Sequence, residues 1–137
     1  MQVTAQQAHA AIDGAQAKAR EIGIPVIAAI LDSGAHLKAF SRMDGAVLAS
    51  IDIALAKAKT AVLFQCNSED IWEYCKPGAP APSLELTNGG LAPYGGGVAL
   101  KTAEGVTVGA IGVSGGSIAQ DSEIARAGLA AFRALMR

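Results

Sequence analysis

Residues 24–44, IPVIAAILDSGAHLKAFSRMD, decide how this chain folds. IPVIAAILD is a continuous apolar, β-branched run, the pattern of a strand covered on both faces. SGA at 33–35 leads straight into a second strand-like run, HLKAFSRMD, so the simplest reading is a hairpin. Upstream, Thr4 and Gln7 form a capping-box pattern, and Ala8, Ile12, Ala15, Ala19 and Ile22 recur at helical spacing until Gly23 and Pro25 stop the run. Downstream, Asp44 and Gly45 make a turn. The next stretch, LASIDIALAKAKTAVLF, sets Leu48, Ile51, Leu55, Ala58 and Val62 on one face of a long helix packed flat on the sheet.

Residues 65–94 are the least regular. A short amphipathic turn, SEDIWEYC, precedes PGAPAP, whose prolines prohibit a helix or central strand, and an excursion of this kind is often functional. NGGLAPYGGGVALK and GVTVGAIGVSG return to strand character around an EG turn, giving two or three further strands. Ser117 and Gln120 repeat the capping box and open a closing helix with Ile118, Ile124, Leu129, Phe132 and Leu135 mostly on one side. Tight turns between strand pairs imply a mainly antiparallel sheet with helices packed on it, an α+β domain.

The length of 137 residues suits one domain over 1–137. Half the residues are apolar but only 4% are aromatic, so the core must close through near approach of backbones. With 11 basic and 12 acidic residues there is no field to attract nucleic acid or an anionic membrane. MQVTAQQAHA lacks a secretory pattern and no apolar run reaches the roughly 18 residues of a membrane span, so the expected location is the cytoplasm. Cys66 and Cys75 have neither CxxC spacing nor a second ligand pair, and are read as reduced and structural.

The strings VIAAILDSGAHLKAFSRMDGA, SIDIALAKAKTAVLF, NGGLAPYGGGVAL and GAIGVSGGSIAQDSEIARAGLAAF follow one another as the motifs of the GlcG/HbpS-like family do, so the chain resembles that family over nearly its whole length. It likewise resembles the C-terminal domain of PduO-type corrinoid adenosyltransferases. The resemblance implies a five-stranded antiparallel sheet flanked by helices, assembly into a homo-oligomer from dimer to octamer, and haem as a cofactor. The family also includes haem-degrading proteins and small proteins encoded beside catabolic enzymes, so the fold does not settle the chemistry.

Asn88, Gly89 and Gly90 on one side of Tyr94, and Gly96 and Gly97 on the other, can bring two backbones together and present N–H groups to a ligand. The same glycines also suit turns and bulges. Ser114 ends the last strand beside Gly115, Gly116 and Ser117, where a helix N-terminus favours a carboxylate or simply caps itself. GAIGVSGG is not GxGxxG and opens no βαβ unit, which argues against a dinucleotide site. Asp32, Arg42 and Asp44 lie at the ends of the first two strands, where an Arg–carboxylate contact would order the turn or bind an acidic substrate. Ser50, Lys57 and Thr60 share a side of the long helix, with Lys57 either facing an acidic ligand or solvated. Glu85 and Tyr94 supply a base and an acid at the loop mouth.

An axial haem position normally takes His, Cys, Met or Tyr, and the histidines are His9 and His36, both also readable as surface residues. The resemblance adds Thr87, matching a threonine that coordinates iron weakly in one family member. No HExxH or acidic cluster marks a catalytic metal. Three functions stay open. One is a binder of haem or another small molecule in a glycine-lined pocket at an oligomer interface. Another is a hydrolase, deaminase or isomerase acting on a polar catabolic intermediate through Arg42, Lys57, Glu85 and Tyr94. The last is an accessory subunit of a catabolic enzyme, docking through its alanine-rich helices or the Trp72 loop.

Overall fold

The computed structural model describes residues 1–136. Helix α1 (Ala5–Ile22) begins at the expected capping box, with Thr4 accepting from the Gln7 N–H and the Gln7 side chain accepting from the Thr4 N–H, and ends at Gly23 in the left-handed region. Strands β1 (Ile27–Asp32) and β2 (Leu37–Arg42) form the hairpin, and α2 (Ala49–Phe64) follows the Asp44–Gly45 turn. The irregular stretch contains a 3-10 turn at Ser68–Ile71, the single-turn helix α3 (Trp72–Cys75) and a second 3-10 turn at Leu84–Leu86. Strands β3 (Gly97–Lys101) and β4 (Thr107–Ser114) and the capped helix α4 (Ile118–Ala134) complete the fold.

The sheet is antiparallel throughout, in the order β2-β1-β4-β3. It has four strands, not the five expected. Residues 91–94, between the NGG motif and β3, pair with no strand. Pro93 has no N–H to give a ladder, and the Ala92 N–H donates to Thr60 Oγ1 at 2.9 Å. Asn88, Gly89 and Gly90 all have positive φ, a conformation no strand carries.

Helices α1 and α4 cover one face of the sheet and α2 the other. On the first face Ile12, Ile30, Leu100, Ile111, Val113, Ile124 and Phe132 form the main apolar core. On the second, small residues let α2 approach the strands: Ala54, Ala58 and Ala61 pack on Ala29, Leu31 and Ala110. A Cβ at Gly112 would land on the Ala54 carbonyl oxygen, and one at Gly97 on that of Lys57. The buried face of α2 therefore matches the expected one only in part: Ala58 and Val62 are buried and Ile51 and Leu55 pack at its margin. Leu48 lies before the helix and is 68% exposed, while Ser50, Lys57 and Thr60 join the alanines against the sheet. In α4, Ile118 and Leu135 likewise face solvent, and Ile124, Ala125, Gly128 and Phe132 are buried.

Candidate functional site

A hollow of about 470 Å3 lies along α2, between the β1–β2 turn and the loop that carries the NGG motif. Leu31, Ala35 and Leu37 line one side, Ile53, Leu55 and Ala56 of α2 form the floor, and Gly89, Gly90, Leu91, Ala92 and Tyr94 the far wall. Its volume is that of a small-molecule or cofactor pocket, and its lining mixes apolar side chains and polar groups in nearly equal measure. Asp52 and Lys59 are its charged members. Lys59 Nζ donates to the Asn88 carbonyl at 2.7 Å, tying the NGG loop to α2. Thr60 ties down the next turn of the wall, its hydroxyl donating to Ala56 O at 2.7 Å while accepting from Ala92.

Behind this wall the backbone of residues 94–97 is held by buried polar groups. Lys57 is 1% exposed, and its ammonium donates to Asp121 Oδ2 and to the Val113 carbonyl, each at 2.9 Å. The other Asp121 oxygen accepts from the Gly116 N–H at 2.8 Å. Burial pushes the Lys57 ammonium below its ordinary range, and the Asp121 contact opposes that fall. The Tyr94 ring lies 5.5 Å from Lys57 Nζ and is partly exposed, so it links the pair to the hollow. Ser68 Oγ donates to the Tyr94 carbonyl at 2.6 Å and accepts from the Gly97 N–H at 2.9 Å. Gly96 has φ of 122°, and a Cβ there would sit 2.7 Å from Lys57 Nζ.

A model of haem-degrading HbpS-like proteins matches residues 3–130. The chain belongs to the HbpS-like family. A 15.0 kDa Citrobacter freundii protein encoded between dhaT and dhaS is 38% identical to it, over 88% of this chain and 84% of its own. The Citrobacter freundii corrinoid adenosyltransferase PduO is 35% identical over 96% of this chain, which spans only 39% of that enzyme. Among solved structures, a complex of PduOC with haem superposes with a TM-score of 0.90 at 32% identity, covering 96% of this chain and 95% of that one. Crystalline HbpS superposes at 0.87 and 30% identity, covering 95% and 89%.

In this HbpS-like chain the residues singled out from sequence fall into distinct places. Gly89, Gly90 and Tyr94 line the hollow. Asn88 holds its edge through its carbonyl, whereas Gly96 and Gly97 pack on Lys57 behind the wall. Ser114 is buried between sheet and α2, donating to Ser50 Oγ at 3.0 Å. Asp32 and Arg42 do not meet, because Arg42 pairs with Ile27 at the opposite end of β1 from Asp32. Asp32 instead accepts from the Gly34 and His36 N–H groups at 2.9 and 3.0 Å, and the His36 bond foremost holds its carboxyl below the usual range. Lys57 is not solvated but buried, with its ammonium on Asp121 and the Val113 carbonyl. Glu85 is half-buried, with Oε1 shielded and unbonded, and lies outside the lining. Of the four residues grouped for catalysis, only Lys57 and Tyr94 come together.

The histidines separate as well. His9 is exposed on α1, in the helix layer across the sheet from α2. His36 stands between two lining residues, Ala35 and Leu37, with Nδ1 3.5 Å from Asp32 Oδ1 and an imidazole 82% exposed. Thr87 Oγ1 donates to the Leu84 carbonyl at 2.7 Å and accepts from Asn88 Nδ2 at 3.1 Å, so its hydroxyl is committed locally. The N–H groups of Gly116 and Gln120 at the start of α4 are likewise taken, by Asp121 and Ser117. Sequence reasoning passed over Asp121 and Lys59. A lysine spaced three residues from Ala54 and four from Ala61 on a face of small residues was the available sign that Lys57 is buried and needs an acid.

Proposed function

We propose that this protein binds haem non-covalently in the hollow beside α2, with a second copy of the chain closing the open side. The observation that carries this reading is the position of His36, set between Ala35 and Leu37 at the rim with a carboxylate at Nδ1. Histidine is a normal axial ligand of haem iron, and this exposed imidazole stands at the rim where a bound ring would meet it. The leucine, isoleucine and alanine side chains of the lining suit a porphyrin body, and Lys59 at the NGG loop suits its carboxylates. When bound, haem would supply an iron centre. The part of the chain's own residues is to orient the ring and shield one face from water. That PduOC has been crystallised with haem supports the cofactor. Two free cysteines fit a reducing cytoplasm, where we place the protein.

Haemin titration followed at the Soret band tests the reading. Wild type gives a saturable shift, His36→Ala abolishes its ligand-dependent component, and His9→Ala and Thr87→Ala leave it in place. Absence of a saturable shift defeats the haem reading. A loss confined to His9→Ala would move the site to the other face of the sheet.

A further inference from the structure

A second hollow, of about 410 Å3, shares Tyr94 with the first and is otherwise lined by Glu69, Trp72, Pro93, Gly95 and Ile118. Its large side chains stand open to water: Trp72 is 45% exposed, Tyr94 41% and Ile118 49%. Apolar side chains clustered in this way around one hollow mark a binding surface. The walls are held in place by the fold itself. Ser68, in the 3-10 turn that leads into α3, donates to the Tyr94 carbonyl at 2.6 Å, so the segments carrying Trp72 and Tyr94 are bonded to each other. Ile118 follows the capping box at Ser117 that fixes the start of α4. Gly95 lies where these segments converge: a Cβ there would strike Ser122 Oγ and sit 3.0 Å from Ile118 Cγ2.

Charge identifies the occupant. Glu69 Oε2 lies 3.2 Å from where that Cβ would stand, so the carboxylate leans in beside the aromatic walls, and it takes part in no ion pair among the described residues. The neighbouring stretch 68–76 adds Asp70 and Glu73 against a single base, Lys76, which Glu73 holds at 2.6 Å. The positive charge of Lys57, 5.5 Å from the Tyr94 ring, is balanced by Asp121 at 2.9 Å. The hollow is therefore negative. A neutral apolar occupant would strip water from Glu69 with nothing in exchange, which is costly. A cation compensates the carboxylate and is also attracted to the faces of Trp and Tyr rings. A metal ion is not served, since no group of three or more His, Cys, Asp or Glu converges among the described residues. An ammonium with free N–H groups would need several acceptors, and among the lining side chains only Glu69 and the Tyr94 hydroxyl can accept. A fully methylated ammonium needs none.

We propose that this second hollow binds small quaternary ammonium cations, with the methyl groups against Trp72, Tyr94 and Ile118 and with Glu69 as the counter-ion. The site is distinct from the one assigned to haem and needs no haem to form.

Trp72 is the chain's one tryptophan, so its fluorescence reports on the site directly. The full chain is titrated with choline chloride, against sodium chloride at equal ionic strength. Choline gives a saturable change in emission at millimolar concentration or below. The neutral isostere of choline, in which a tert-butyl group replaces the trimethylammonium, binds about 10-fold more weakly, and so does choline to Glu69→Gln. Circular dichroism of Glu69→Gln stays that of the folded chain, since the side chain is exposed and unpaired. No saturable change with choline, equal binding of the neutral isostere, or full affinity in Glu69→Gln overturns the proposal. Haemin titration of Glu69→Gln keeps the wild-type Soret shift, so the two sites stand or fall separately.

Discussion

The two faces of the sheet are built on different physics. Against α1 and α4, large side chains such as Phe132, Ile111 and Ile124 fill a continuous apolar core. Against α2, alanines and glycines bring backbone within reach of backbone, and the buried polar groups Lys57, Asp121, Ser50 and Ser114 satisfy one another. The first face is held by area removed from water, which is non-directional and tolerant. The second is held by close approach and directed bonds, which fix positions but leave the outer flank of the helix free. That freedom is where the hollow lies.

Removing a partner from each face separates the two most sharply. Asp121→Ala leaves a buried, unpaired ammonium at Lys57 and should cost about 3–5 kcal/mol in denaturant unfolding. Phe132→Ala should cost a similar amount, about 3–5 kcal/mol, through the cavity it leaves. The two differ in their pH response. In Asp121→Ala the folded state holds Lys57 below its ordinary 10.5, so between the folded and unfolded values the unfolded chain binds more protons. Stability of that variant therefore rises with pH towards 10.5, whereas the Phe132→Ala deficit stays flat. Lys57→Met with Asp121→Leu should recover much of the single-variant loss.

Adding one methyl group draws the same distinction at smaller size. Gly112→Ala meets rigid helix backbone at Ala54 and Ala58 and should cost about 3 kcal/mol. Gly128→Ala, on the other face, meets the movable end of Ile111 at 2.5 Å and the Ala11 carbonyl at 3.0 Å, and should cost nearer 1–2 kcal/mol. Thermal melts of the pair test the ranking.

The smallest effect is at the turn beside the hollow. Asp32→Ala removes the acceptor for two N–H groups and should cost about 1 kcal/mol near neutral pH. Because the Asp32 carboxyl is held below its ordinary 3.8, that contribution is present above 3.8 and is lost as pH falls through the folded value. Wild type and variant should converge in acid.

Much of this contrast was legible in the chain and part of it was not. Both capping boxes, the β1–β2 hairpin and the turn at Gly105 follow from local chemistry, and local chemistry is what a sequence carries openly. The face of α2 was only half legible because apolar residues surround the whole helix, so periodicity had no clear stripe to find, and size decided which side packs most closely. The fifth strand was implied by the resemblance alone, whereas the residues themselves left two or three strands after the irregular stretch, and two form. At the candidate site the NGG loop and Tyr94 could be picked out as backbone without side chains beside an aromatic. The partnership of Lys57 with Asp121, 64 residues apart, could not, because only the fold brings them together.

The most direct measurement is a crystal structure of the chain grown with haemin. The account predicts porphyrin density in the hollow on the α2 face, between the His36 turn and the Gly89–Gly90 loop, with a second copy across its open side. Porphyrin on the α1 and α4 face beside His9, or a hollow that stays closed to the ring at saturating haemin, would contradict it.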